Sequence, residues 1–452
     1  MKIVYLLVFH CFLLLVAGLP VFASTGLFMD MESGFADSGS SWFMEAMQIP
    51  EAHQVSQGQG AVVALIDSGV DITHPALRDC IDTELSYNTA DDSFDLTDYL
   101  GHGTMMAGIL CGTCDPSRDF CGVAPRARVI VYKVSSGSGY TFQDYDLAEA
   151  IRLAADSPAV IINLSLVIDY STAVEDAVNY ALSLGKVVVA AAGNDGGLVE
   201  FPASIDGVVS VGAVDTEFQP VVGSGSGPYL VLSAPGYNIG TTISGGQFGA
   251  TTGTSAAAAL VSGVFALVNS LDPMLPALIA KPLAAQSSLD EGWPGFDAQY
   301  GFGVVHALNT ITGTNPLQAD PDRDLGVYLG GQEWVYRPTE RIRLDLILSG
   351  IGGQEADMWI QETDPRGQRF YFVFGENRIF DQPWPYNRNL GSPYLFPGGE
   401  TLSYSLFGSE GDFLLSDGII HPEAPSGLYE MVVGVQRGDE FVHSRVVLSI
   451  AR

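Results

Sequence analysis

Positive charge is scarce in this chain: 20 Lys and Arg stand against 52 Asp and Glu, a formal net charge of −32 over 452 residues. Such a surface repels phosphate backbones, which argues against nucleic acid as a partner. The acidity speaks for solubility and for saline or cation-rich surroundings, not for any fold. Long apolar runs are scarce too. The run from Ile3 to Val16, broken by His10, follows Met1 and Lys2 and leads to the small-residue pattern Val21, Phe22, Ala23. It is shorter than the ~20 residues a spanning helix needs, so residues 1–23 read as a cleavable export signal rather than an anchor. No other stretch reads as a membrane span, and the expected location is periplasmic or extracellular. Cysteine is sparse as well: five residues, of which Cys11 leaves with the signal. Cys80, Cys111, Cys114 and Cys121 remain as an even set in an oxidising compartment, where disulfides are the first reading. Four cysteines allow three connectivities, and Cys114 with Cys121 is weakly preferred because it closes a short local loop. A four-thiolate zinc site is the rival reading of the same spacing, and export disfavours it.

What the chain does have is an alternation of short apolar runs with helical segments from about Ala61 to His306, the pattern of a parallel sheet covered by helices on both faces. Strands are expected at Ala61 to Ile66, Val129 to Val134, Val160 to Ile162, Val187 to Ala192 and Val208 to Val214. One intervening helix shows Thr172 and Glu175 as a capping box, an apolar face of Val174, Ala177, Val178, Ala181 and Leu182, and Gly185 as a stop. The expected fold class is α/β, doubly wound. Near Gly313 to Asp324 the composition turns to Asn, Pro, Asp and Gly, and beyond it alternation replaces helical spacing. The organisation expected is a signal over 1–23, a leader or short pro-segment over 24–44, a catalytic domain over 45–312, a linker over 313–325 and a β-sandwich-like accessory domain over 326–452. Its strands are expected at Arg341 to Leu348, Met358 to Glu362, Arg369 to Phe374, Thr401 to Phe407, Tyr429 to Val435 and Val442 to Ile450.

In doubly wound sheets ligands bind outside the carboxyl ends of the strands, where Asp67 and Asn194 fall. Asp67 follows an apolar strand, His102 lies in Gly-His-Gly-Thr at a helix start, and Ser255 lies in Gly-Thr-Ser before an Ala-rich helix. Each alone is ordinary: a cap, a structural histidine, an N-cap. In the order Asp, His, Ser they match what acyl transfer demands, a hydroxyl nucleophile, a base and an orienting carboxylate.

From about Trp42 to Leu308 the chain resembles the subtilisin family of serine peptidases. The resemblance rests on Ala64 to Val70 (ALIDSGV), His102 to Gly108 (HGTMMAG) and Gly249 to Gly263 (GATTGTSAAAALVSG), with GVAP at Gly122, INLSL at Ile162, AAAGNDG at Ala190, VGAVD at Val211 and SAPG at Ser233 between them, in the family's order. It implies a secreted serine endopeptidase with Asp67, His102 and Ser255 as the catalytic triad. Asn194 and the Ser255 backbone N–H are then the oxyanion donors. Substrate would lie as an added strand along Gly137, Ser138, Gly139 and along Leu164, Ser165, Leu166, with Gly193 beside it. The partners implied are protein or peptide substrates, the protein is expected to be a monomer, and no cofactor is required for the chemistry. Structural calcium is common in such enzymes, and Asp91, Asp92, Asp95 and Asp98 could supply oxygens, although a solvated acidic loop explains them as well. The chain departs from the family at Ala256 and Ala259, at Met105, and at Val167, which stands near the first specificity pocket. Two other readings use the same residues: a catalytically silent peptide-binding module, and an acyl-transfer variant that passes the acyl group to an amine.

Overall fold

The computed structural model describes residues 25–28, 33–34, 41–137, 141–273, 277–292 and 295–313, and the strands between 326 and 450. The expected signal, most of the leader and the linker lie outside the described residues.

The central sheet has seven strands, all parallel, in the spatial order Leu232–Pro235, Val209–Val214, Val187–Ala191, Ile161–Leu164, Val62–Asp67, Arg128–Lys133, Tyr87–Asn88. The chain winds outward from Val62–Asp67 to one side, then returns and continues on the other side from Ile161–Leu164. The order therefore reverses at Val62–Asp67, and the carboxyl end of that strand is where sheets of this kind bind ligands. The alternation of side chains decides both cores: Val63 and Leu65 enter one apolar cluster, Ala64 and Ile66 the other. All four are fully buried, as a parallel sheet covered on both faces requires. The helices His102–Cys111 and Thr254–Leu271 pack against each other and carry the first cluster; Asp144–Asp156 and Thr172–Ser183 carry the second.

Thr254–Leu271 is long and apolar enough by length and composition to cross a membrane, contrary to the expectation from sequence; residues Thr254 to Val268 are instead buried within the sheet–helix core. The expected capping box is also corrected. Ser171, not Thr172, is the N-cap, its backbone carbonyl accepts the Glu175 N–H at 3.0 Å, and the Glu175 carboxylate is taken by the Tyr170 hydroxyl at 2.7 Å. The Ser171 hydroxyl has turned outward to Asp144, at 2.9 Å. The two disulfides are Cys80–Cys111 and Cys114–Cys121, the second being the local pair favoured from spacing. They consume the four thiols that a zinc site would need.

Two short antiparallel sheets flank the carboxyl end. The hairpin Ile239–Ile243 with Gln247–Thr251 is joined by Ser33–Gly34. On the opposite side Thr25–Phe28 lies between Thr141–Gln143 and Leu166–Ile168, antiparallel to both. Beyond residue 325 the described elements are all strands. Gly326–Gly331, Leu344–Ser349 and Thr401–Leu406 form one sheet; a second is built around Glu355–Thr363, Gly427–Arg437 and Glu440–Ile450, with Arg369–Val373 paired to the first of these.

Candidate active site

Asp67 ends the central strand and His102 begins the helix that crosses its carboxyl end. Residues 35 apart in sequence thereby meet: His102 Nδ1 lies 2.7 Å from Asp67 Oδ1, with both side chains buried. A carboxylate only accepts, so Nδ1 carries the proton and Nε2 is the basic nitrogen of the ring. Burial pushes the Asp67 carboxyl up, while the His102 ring and the Ser68 N–H, which donates to Oδ1 at 2.7 Å, pull it down. The close approach depends on Gly103: a Cβ there would collide with the Gly69 carbonyl and lie 3.1 Å from Asp67 Oδ1.

Asp98 fixes the start of this helix. Its Oδ1 accepts from Ser68 Oγ and the Gly101 N–H, both at 2.8 Å, and its Oδ2 accepts from the Thr104 N–H at 2.8 Å and the Thr104 hydroxyl at 2.6 Å. Ser68 Oγ in turn accepts the Gly103 N–H at 2.9 Å. One buried carboxylate thus links the residue after Asp67 to the residues flanking His102. In sequence Asp98 groups with Asp91, Asp92 and Asp95, as candidate calcium oxygens or as a solvated acidic loop. The structure turns Asp98 inward and leaves the other three exposed. The signal available in sequence was its position four residues before His102. Behind the loop the buried Lys133 ammonium donates to the Thr97 carbonyl at 2.6 Å and lies 4.8 Å from the Tyr99 ring centroid.

Ser255 is the second residue of Thr254–Leu271 and is buried. Its hydroxyl donates to the Ser165 carbonyl at 3.1 Å, and Ser165 Oγ returns a bond to the Ser255 carbonyl at 2.8 Å. Ser165 lies between Ile161–Leu164 and Leu166–Ile168, so the helix N-terminus is pinned to the strand expected to carry substrate. Asn194 follows the neighbouring strand Val187–Ala191. Its Oδ1 accepts from the Thr254 N–H at 2.9 Å and the Thr254 hydroxyl at 3.0 Å. An N–H can only donate, so the amide orientation is fixed, with its NH₂ group on the side away from these donors. That NH₂ lies beside Gly253, where a Cβ would approach Nδ2 to 3.0 Å.

Of the residues expected to border substrate, Leu164 ends Ile161–Leu164, Ser165 follows it, Leu166 begins Leu166–Ile168 and Gly193 follows Val187–Ala191; Gly137 ends a described segment, and Ser138 and Gly139 lie outside the described residues. Val167 is buried in the strand Leu166–Ile168.

A model of the subtilase family matches residues 58–303, more than half of the chain, and spans every one of these side chains. The chain belongs to the subtilase family. It is 41% identical to a thermophilic serine proteinase of Bacillus sp. (strain AK1) over 224 residues, 48% of this subtilase and 55% of the relative. It is 33% identical to thermitase of Thermoactinomyces vulgaris over 230 residues, 50% of this subtilase and 81% of the relative. With subtilisin Savinase of Lederbergia lenta it shares 35% identity over 237 residues, 51% and 85% of the two chains. Serine-type endopeptidase is the class that goes with this membership. The subtilase spans only about half the length of the first of these relatives.

Proposed function

We propose that the protein is an exported serine endopeptidase that hydrolyses peptide bonds through an acyl-enzyme on Ser255. The observation that carries this is the 2.7 Å contact of His102 Nδ1 with Asp67, at the sheet's switch point and on the same core face as the helix bearing Ser255. Ser255 Oγ attacks the scissile carbonyl and His102 Nε2 takes its proton; Asp67 stabilises the imidazolium. The carbonyl oxygen becomes an anion, received by the Asn194 NH₂ and the Ser255 backbone N–H at the positive end of a helix. Collapse expels the amine, protonated by His102. A water deprotonated by the same ring then releases the acid and restores Ser255.

Protein or peptide substrates lie as an added strand beside Leu164, Ser165 and Leu166, displacing Thr25–Phe28 from Leu166–Ile168. Residues 1–23 act as the export signal, which places the enzyme in the periplasm or outside the cell, and residues 326–452 fold as a β-sandwich-like accessory domain. The test is denatured casein with purified protein and with Ser255→Ala, read by mass spectrometry of fragments, beside fluorophosphonate labelling. Fragments and label from the wild type alone support the assignment. A folded wild type that yields neither is a binding module, and products joined to an added amine identify acyl transfer instead.

A further inference from the structure

Glu200 is a partly buried carboxylate beside this site, with its Oε1 inside, to which the mechanism gives no task. It stands six residues after Asn194. Its backbone N–H donates to the Ala192 carbonyl at 3.0 Å, which folds the loop back on itself. The carboxylate then lies against Gly193, at φ +105°, where any Cβ would overlap Oε1. The Asn194 backbone N–H hydrogen-bonds the same carboxylate. On the far side, the Phe201 carbonyl accepts the Ile168 N–H at 3.0 Å, tying the loop to the strand Leu166–Ile168. Glu200 is thus held between the residue that faces the developing oxyanion and the strand on which the acyl part of a peptide lies. On the peptidase reading, a substrate residue with its carbonyl at Asn194 and its backbone on that strand would direct its side chain between the two, towards the loop that carries Glu200.

Three observations describe what that space lacks. Oε1 of Glu200 is buried and has no hydrogen-bond partner. None of the ion pairs among the described residues includes Glu200. Burial pushes its carboxyl above the ordinary glutamate range, Asp195 adds to the rise, the Asn194 N–H opposes it, and Asp169 adds again. A carboxylate taken from water without a countercharge is costly, and a cation that arrives with the ligand removes the cost.

We propose that Glu200 makes this enzyme selective for peptides with Lys or Arg at the residue whose carbonyl is attacked. The proposal rests on the peptidase reading and names its substrate class. The ammonium or guanidinium of that residue fills the hydrogen-bonding capacity of Oε1, and Asp195 and Asp169 hold the entrance negative. The net charge of −32 adds long-range attraction for basic segments.

The test is a matched series of fluorogenic peptides that differ only at that residue, Lys, Arg, Phe or Glu, with kcat/KM measured for the wild type, Glu200→Gln and Glu200→Lys. Gln keeps the volume and an acceptor for the Asn194 N–H while removing the charge. The wild type is expected to favour Lys or Arg over Phe at least about tenfold, a ratio that falls on the order of 10²-fold in Glu200→Gln. Glu200→Lys is expected to favour Glu. A wild type that favours Phe overturns the proposal even if a variant does not fold, and so does an unchanged Lys/Phe ratio in Glu200→Gln. To separate this outcome from failure of the peptidase reading, p-aminobenzamidine is titrated into Ser255→Ala and into the Ser255→Ala, Glu200→Gln double variant. Binding to the first that weakens at least tenfold in the second supports a cation site whatever the catalytic result; equal or absent binding in both overturns it.

Discussion

Thr254 precedes Ser255 and, on the proposed mechanism, touches no reacting atom, yet its bonds to Asn194 predict a measurable share of the rate. Its hydroxyl is one of two donors that hold Asn194 Oδ1, at 3.0 Å, the other being its own backbone N–H at 2.9 Å. Thr254→Val deletes the hydroxyl and keeps the shape. One neutral hydrogen bond of this kind is worth about 0.5–1.5 kcal/mol, which corresponds to a fall in kcat of about 2- to 10-fold if it is spent on aiming the amide. The deleted hydroxyl also accepted the Gly193 N–H at 3.2 Å, so the variant is expected to lose some stability as well. Asn194→Leu removes the donor itself; the loss of about 10²–10³ expected for it is the range known from subtilisin, not a value worked out from this structure. The two changes act on one amide, so the double variant is expected to match Asn194→Leu within about twofold. Initial rates on a fluorogenic peptide, with KM measured separately and folding checked by circular dichroism, decide the matter. Multiplicative losses would refute the reasoning, since Thr254 would then act on something other than Asn194. Thr254→Ser, which restores the oxygen, should recover the rate.

Other expectations follow from neighbouring features. Asp98→Asn turns an amide NH₂ towards groups that themselves donate, and should lower kcat about tenfold with little change in KM, because misplacing His102 slows the chemical step rather than binding; a KM effect of equal size would count against a positioning role. Asp146 is buried, with its carboxyl raised to about 6 by burial and by Glu149, Asp91 and Asp144. The folded state therefore holds its proton more tightly than the unfolded chain. That contribution is fully present below about pH 4 and lost as pH rises through about 6. Asp146→Asn should raise stability by about 1–3 kcal/mol above pH 6 and change little at pH 4, as read by chemical denaturation at both pH values. The disulfides should differ in weight: removing Cys80–Cys111, with a separation of 31, is expected to cost about 3–4 kcal/mol, and removing Cys114–Cys121, with a separation of 7, about 2 kcal/mol, in paired Cys→Ala variants.

The legible part of the fold was the part governed by periodicity. The five expected strands lie within a residue or two of Val62–Asp67, Arg128–Lys133, Ile161–Leu164, Val187–Ala191 and Val209–Val214, because each is a largely apolar run buried on both faces. Tyr87–Asn88 is too short to show a pattern, and Leu232–Pro235 ends in a proline, tolerable because the strand lies at the sheet edge. The hairpin Ile239–Ile243 and Gln247–Thr251 is rich in Gly and Thr and reads as loop until its partner strand is seen. Asp67, His102, Ser255 and Asn194 stand out in the sequence because the proposed chemistry restricts their residue types. Asp98 and Glu200 were not. An acidic residue in an acidic chain looks solvated, and only the tertiary fold shows that one is turned onto Ser68, Gly101 and Thr104 and the other onto Gly193 and Asn194.

On the substrate path proposed above, the strand Thr25–Phe28 is a resident occupant. It pairs with Leu166–Ile168 in the antiparallel sense, Leu27 opposite Val167 and Phe28 opposite Leu166, and with Thr141–Gln143 on its other edge. An incoming peptide that needs those same main-chain groups competes with a segment tethered to the enzyme, whose effective concentration is on the order of millimolar for a short connection. Dilution lowers the concentration of every free competitor but not of this one. Occupancy of the groove is therefore a property of the single molecule, set by the length of its tether and the register of a few backbone hydrogen bonds.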